Sequence, residues 1–231
     1  MKILIPTAKQ MREREKVLRK GIGESTEKVL DEILKIEDLS KFFKVKKEQA
    51  ELERKRFLDI RNKISKEYRA IDLFDGLMYR NIKRENLSDK EKEYLNNVYI
   101  TSSFYGIINV LDNISLHRLD FLNNLVVNNV SLKKFWQEQY DSMVKDEDLI
   151  ISLLSNEFEE VFSKEIRERM YNFVFKESGK IHSTISKKAR GRFLTALIEN
   201  NISSIEEIRK LKFCGYEIKE ENGKTLVFEK D

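Results

Sequence analysis

The sequence predicts an α+β fold: a mixed β-sheet flanked by helices, with a helix-rich subregion at about 9–67 and hairpins toward the C-terminus. Three observations carry this reading. Strand-like apolar runs at 2–5, 98–103 and 148–155 are interspersed with longer stretches of helical periodicity, which excludes an all-α or all-β chain. Hairpin signals stand near the C-terminus. One proline and 8 glycines in 231 residues leave little room for flexible linkers, and 40% hydrophobic residues suffice for one core, so the expectation is a single domain spanning 1–231.

The elements follow in order. KILI (2–5) is a short buried strand that Pro6 stops. From Lys9 to about Glu67 the pattern is helical: Val29, Ile33 and Ile36 form one stripe, Ser40 caps a short helix with Phe42 and Phe43, and a third helix runs through Ala50, Phe57, Ile60 and Ile64. RAIDLF (69–74) alternates like a strand until Asp75-Gly76 breaks it, and LMYRNI (77–82) reads as a short helix. Ser88 with Glu91 three residues on is a capping box. VYITSS (98–103) is β-branched and strand-like, whereas FYGIINVLDNISLHRLDF (104–121) reads as loop and turn. Ser131 caps LKKFWQEQYDSMV, DLIISLLS (148–155) is a buried strand, and NEFEEVF (156–162) is helical. MYNFVF (170–175) and KIHSTI (180–185) read as a hairpin joined by Lys176–Gly179. The helix KKARGRFLTALIEN (187–200) follows, with Ser186 as N-cap and Ala189, Phe193, Ala196 and Leu197 on one face. Ser204 and Glu207 form another capping box, and 215–230 is a hairpin around Asn222-Gly223.

Charge points toward function. The net charge is only +4, from 44 basic and 40 acidic residues, but the charges are segregated. No acid occurs between Ser178 and Ile198, where Lys180, Lys187, Lys188, Arg190 and Arg192 lie, while Asp146, Glu147, Asp148, Glu157, Glu159 and Glu160 cluster upstream. Cations at a helix start oppose the helix dipole. An anion held by Lys187, Lys188, Arg190 and Arg192, with Gly191 admitting a close backbone, accounts for that arrangement.

Other chemistries are excluded or narrowed. There is no Walker loop, no G-x-G-x-x-G and no G-x-S-x-G elbow. One cysteine and two histidines cannot make a zinc site, so neither a metal nor a cofactor is expected. Cys214 reads as a small buried hydrophobe, and its solitude fits a reducing cytoplasm. The N-terminal apolar run is too short for a signal peptide or membrane span, and no membrane partner is expected. His117, Asp112 and Asp120 are the candidate catalytic residues, in the loop-rich stretch with Arg118.

Several segments in order resemble the YaaA family, a bacterial peroxide stress family. They are ILIPTAK (3–9), FDGLMYRNI (74–82), SSFYGIINVLD (102–112), HRLDF (117–121), FW (135–136), SNEFEEVF (155–162), KKARGRFL (187–194), IENNI (198–202) and the terminal GYEIKEENGKTLVFEK. The resemblance covers nearly the whole chain. It implies a one-domain α/β body, a role in peroxide stress linked to lower free iron, and DNA bound through a positively charged cleft with a helix-hairpin-helix element in the helical N-terminal part. Carried over by residue, it implies an anion-binding set of Lys9, Tyr105, Gly106, Arg118, Lys187, Lys188, Arg190 and Gly191; Arg192 joins from the charge pattern, and Asp112 also matches the family's middle motif. This chain has Asn109-Val110 where the family often has Arg-Pro, and Leu116 where a proline is common. The segment expected to hold the hairpin, KFFKVKKEQAELERKRF, has no glycine turn, although Lys44, Lys46 and Lys47 supply charge there.

The functional expectation is a cytoplasmic DNA-binding protein of the peroxide response that contacts phosphates without sequence specificity, Tyr105 stacking on an exposed base. Its iron effect is indirect, because two histidines and one cysteine leave only carboxylates as further ligands. The alternative is an enzyme acting on a nucleotide, a nucleic acid or a small anion in the same cleft. A deep closed pocket joining His117, Arg118 and Lys188 favours the enzyme; an open basic groove favours binding.

Overall fold

The computed structural model describes residues 1–231. The chain runs β1 (Lys2–Pro6), α1 (Glu24–Leu34), α2 (Leu39–Phe43), α3 (Lys47–Arg61), β2 (Glu67–Arg69), α4 (Ala70–Leu73), a 3₁₀ turn (Tyr79–Asn81) and α5 (Asp89–Tyr94). Next come β3 (Val98–Ser102), β4 (Gly106–Asn109), β5 (Asn113–Ser115), β6 (Val126–Val127), β7 (Val130–Ser131), α6 (Leu132–Val144) and β8 (Ile150–Ser152). It ends with α7 (Asn156–Glu159), α8 (Lys164–Arg169), β9 (Tyr171–Glu177), α9 (Ser183–Glu199), α10 (Ile205–Lys210), β10 (Glu217–Asn222) and β11 (Thr225–Lys230).

The predicted mixed sheet flanked by helices is present. Seven strands lie in the order β10-β11-β9-β8-β1-β3-β4. The inner five are parallel, and β4 and β10 close the edges antiparallel. Ile3, Leu4 and Ile5 of β1 are all fully buried, which is why KILI is a continuous apolar run: a central parallel strand is covered on both faces. Sixty buried residues form one apolar cluster around this sheet. From β1 the chain first builds β3 on one side, then crosses to β8 on the other and continues to β9 and β11. The direction of winding therefore reverses between β1 and β8, and in open α/β sheets the crevice at the carboxyl ends of such strands takes the ligand.

The capping boxes at Ser88/Glu91 and Ser204/Glu207 form, as do the Ser131 cap and the hairpin at Asn222-Gly223. Other expectations are corrected. Residues 7–23 are a loop, not helix: MREREK has no apolar stripe to bury, and the loop is pinned instead by bridges Met11–Phe74 and Val17–Glu67. The buried Glu67 carboxylate also accepts the N–H groups of Lys20 (2.8 Å) and Gly21 (2.9 Å). Asp38, not Ser40, caps α2 by accepting from Lys41 N–H. Most of RAIDLF is the helical turn α4, because Ala70 and Ile71 N–H donate to the carbonyls of Asp112 and Val110. Much of 104–121 is strand: β4 pairs with β3, and β5 with β2.

The hairpin expected from MYNFVF and KIHSTI does not form. β9 is already paired on both edges, with β8 and β11, so no ladder remains for a returning strand. KIHSTI turns into α9 instead, with His182 at the N-cap position rather than Ser186. The first turn of α9, Ser183–Ser186, is therefore uncharged, and the four cations lie beyond it. Cys214 is exposed with φ 47°, in the turn before Gly215, not a buried hydrophobe. α2 and α3 are joined by three residues, and Lys44 adopts the left-handed turn conformation (φ 53°, ψ 51°) without a glycine.

Candidate functional site

A pocket of about 490 Å³ lies where the β1 and β8 chain ends leave the sheet. Five segments bound it: Pro6–Met11 after β1, Phe74–Tyr79, His117–Asp120, Ser155–Phe158 after β8, and one face of α9. Thr184, Lys187 and Arg190 come from α9 at spacings of three, which puts them on one helical stripe. Tyr79 OH donates to the Pro6 carbonyl at 2.8 Å, tying the second segment to the exit of β1.

Two glycines let these walls meet. A Cβ on Gly76 would sit 2.6 Å from Ala8 Cβ, and one on Gly191 would sit 2.2 Å from the Met78 carbonyl oxygen. The backbone that Gly191 admits is thus the chain's own, not that of a bound nucleic acid.

The charged groups divide into paired and unpaired sets. Lys9 Nζ meets Asp120 at 2.9 Å. Asp120 also accepts from Leu122 N–H, and this shapes its loop. Arg118 has no carboxylate in ion-pair contact but lies within electrostatic reach of the buried Glu53, whose acidity burial weakens first of all. Arg190 is largely buried; its guanidinium pKa is lowered by that burial, and its Nε has no hydrogen-bond partner. The Glu157 carboxyl is raised by burial and then by the neighbouring Asp120 charge.

His117 is 5% exposed and forms part of the pocket wall. Its Nδ1 lies 2.9 Å from the Ser115 carbonyl oxygen, which can only accept, so Nδ1 carries the proton. Its ring stacks on Phe104 at 5.1 Å and meets Tyr105 and Phe74 edge-on. Burial, helped by the Arg56 charge, lowers its pKa to about 4, so His117 is a neutral imidazole at pH 7.

The whole chain invites comparison with known proteins. Residues 1–222 match the family described as "Peroxide stress protein YaaA". A "UPF0246 protein" from Streptococcus gordonii is 45% identical over 228 residues, covering 95% of this chain and 93% of its own. Another from Streptococcus pneumoniae is 46% identical over 241 aligned positions and covers both chains in full. The chain belongs to the YaaA family of peroxide stress proteins.

The YaaA motifs do not all meet in space. Lys9, His117, Arg118, Asp120, Lys187 and Arg190 line the pocket. Lys188 and Arg192 do not; they share a different stripe of α9, and the Arg192 charge is felt at Tyr216. Tyr105 is 8% exposed, and its hydroxyl accepts the Ser115 N–H at 2.9 Å, so its ring cannot stack on a base. Gly106 has φ 77° and leaves no room for a Cβ beside Gln139 and Trp136, a packing role. The Asp112 carboxylate accepts Asn109 N–H at 2.8 Å and lines a separate cavity beside Tyr105 and the start of α1.

Sequence reasoning misses Gln10, Ser155, Glu157 and Thr184 as lining residues. Their signal is positional, since three of the four lie within a few residues of a parallel strand's carboxyl end. It also misses the basic loop Arg12, Arg14, Lys16, Arg19 and Lys20, where helix is expected from the pattern.

Proposed function

We propose that this YaaA-family protein acts in the cytoplasmic response to peroxide by binding DNA through phosphate contacts, without reading base sequence. One observation supports this above the rest: the cations of the HRLDF and KKARGR motifs, unlike Lys9, are left without acid partners. Arg118, Lys187, Lys188, Arg190 and Arg192 make no ion pair within 4.0 Å, and neither do Lys44, Lys46 and Lys47 on the α2–α3 turn or Arg12, Arg14 and Lys16 on the loop after β1. Other lysines and arginines do find carboxylates, as at Lys28–Glu24, Lys55–Asp59 and Arg209–Glu221, although Lys63, Lys90 and Lys134 do not; what sets the motif cations apart is that several unpaired ones share one helix. Unpaired cations on two loops and a helix suit a polyanion, whose counterions they release.

The α2–α3 turn adds a second phosphate contact. α3 is 15 residues long and starts with no side-chain cap, so its first N–H groups are free beside Lys46 and Lys47. Nothing in the cleft presents a helix or strand of base-reading side chains, in keeping with binding that follows structure rather than sequence. Under this reading any effect on free iron is indirect. The bounded pocket favours, beside DNA, a small anionic ligand in the same site.

The test is binding of fluorescent duplex, single-stranded and junction DNA across a salt series. Wild type is compared with Lys187→Ala/Lys188→Ala/Arg190→Ala and with Lys44→Ala/Lys46→Ala/Lys47→Ala, each checked for folding. The expected result is a steep salt slope that shrinks by roughly 0.9 for each phosphate contact removed. A flat salt dependence, or equal binding by all three proteins, overturns the reading.

A further inference from the structure

We infer that the pocket between β1 and β8 is a binding site for one nucleoside monophosphate, a reading that shares Lys187 and Arg190 with the proposed DNA contacts but not Lys44, Lys46 and Lys47. Position comes first. The sheet order makes the β1/β8 crevice the point where winding reverses, and the pocket stands there. Its volume of about 490 Å³ suits a small organic ligand and not a duplex.

Charge then selects the class. Asp120 answers Lys9, while Arg118 has no carboxylate in ion-pair contact, because the nearby Glu53 is held by Arg56 at 2.7 Å. Lys187 and Arg190 have no carboxylate in ion-pair contact, although the Glu159 charge reaches Arg190, and Arg190 Nε is buried with no acceptor. A buried guanidinium left unsatisfied is costly, and a phosphate oxygen removes that cost. Arg118, Lys187 and Arg190, set against the half-buried Glu157, leave about two positive charges, which match a phosphate monoester close to −2 at neutral pH. The loop leaving β1, Thr7-Ala8-Lys9, has no glycine to cradle a diphosphate through its backbone, so the phosphate is held by side chains of α9.

The remaining walls fit the nucleoside. Met78, Leu119 and Phe158 supply apolar surface. His117 presents the opposite kind of group: with the proton on Nδ1 and given to Ser115, Nε2 is a bare acceptor that no protein donor fills. A ribose hydroxyl or base N–H is the complement of that nitrogen. The phosphate end therefore lies at Lys187 and Arg190, and the hydroxyl-bearing part toward His117.

The experiment is calorimetric titration at constant ionic strength with AMP, GMP, CMP and UMP, and with inorganic phosphate and adenosine as parts of the ligand. At least one nucleotide is expected to bind tenfold or more tightly than phosphate or adenosine alone. Arg190→Gln should weaken it at least tenfold. Lys187→Ala, at a solvent-accessible position that leaves folding intact, should weaken it about three- to tenfold. Lys44→Ala/Lys46→Ala/Lys47→Ala should bind it as the wild type does. If no nucleotide exceeds phosphate, or if Lys187→Ala binds as tightly as wild type, the inference falls. DNA binding without nucleotide binding overturns this inference alone, and nucleotide binding without DNA binding overturns only the DNA reading. Displacement of a 5′-phosphorylated oligonucleotide by the bound nucleotide means the monophosphate unit can belong to a strand end; no displacement identifies it as the free nucleotide.

Discussion

Replacing His117 with asparagine tests the neutral-imidazole assignment through the pH dependence of stability. In the folded protein the His117 pKa is lowered to about 4, because burial among Phe104, Phe74 and Tyr105 penalises the charged ring. Its ordinary value is 6.5. The unfolded chain therefore takes up a proton as pH falls through 6.5, while the folded chain stays neutral until about 4. More protons bound in the unfolded state means that stability falls as pH falls. The slope is about 1.4 kcal/mol per pH unit across that window, and roughly 3 kcal/mol in full. Asparagine has no titrating group and keeps an amide that can donate to the Ser115 carbonyl. The assay is urea denaturation followed by fluorescence of Trp136, the only tryptophan, at pH 7.5, 6.5, 5.5 and 4.5. The other titrations cancel in the difference between the two proteins. Wild type should lose about 1 kcal/mol more than the variant between pH 7.5 and 5.5, and about 2–3 kcal/mol more by pH 4.5. A difference that stays flat with pH would overturn the neutral-imidazole assignment, since His117 would then be titrating as a solvated side chain.

Gly191→Ala should destabilise the protein by about 1–3 kcal/mol, because the added Cβ meets the Met78 carbonyl at 2.2 Å and Asn81 Cβ at 2.8 Å; denaturant titration reads this. Tyr105→Phe should cost about 1–2 kcal/mol through the lost Ser115 N–H acceptor and leave DNA affinity unchanged, whereas a tenfold loss of affinity in gel or anisotropy assays would restore Tyr105 as a base contact. Trp136→Phe should destabilise by about 2–3 kcal/mol, because the indole N–H to the Ser103 carbonyl (2.8 Å) disappears inside the core and leaves that oxygen unpaired.

The elements with local causes are legible in the sequence alone. Two capping boxes, the Ser131 cap, the Asn222-Gly223 turn and the apolar run of β1 depend on residues a few positions apart, and all of them form. Six of the twelve candidate site residues, Lys9, His117, Arg118, Asp120, Lys187 and Arg190, stand out in the motifs and converge on one pocket.

The mixed sheet with flanking helices, the segregation of basic and acidic stretches, and the family are all readable from the chain without its fold. These are carried by periodicity, by charge order and by motifs that persist along the whole chain. Tertiary structure decided which strand pairs with which, and so the fate of KIHSTI: both edges of β9 were occupied, and the segment became the start of a helix. It decided the division of the KKARGR cations, since a helix turns 100° per residue and sends Lys187 and Arg190 into the pocket but Lys188 and Arg192 elsewhere. It also decided that Gly191 and Tyr105 serve packing. Which surface a residue meets depends on segments about a hundred positions away, such as Met78 against Gly191, and no local pattern encodes that distance.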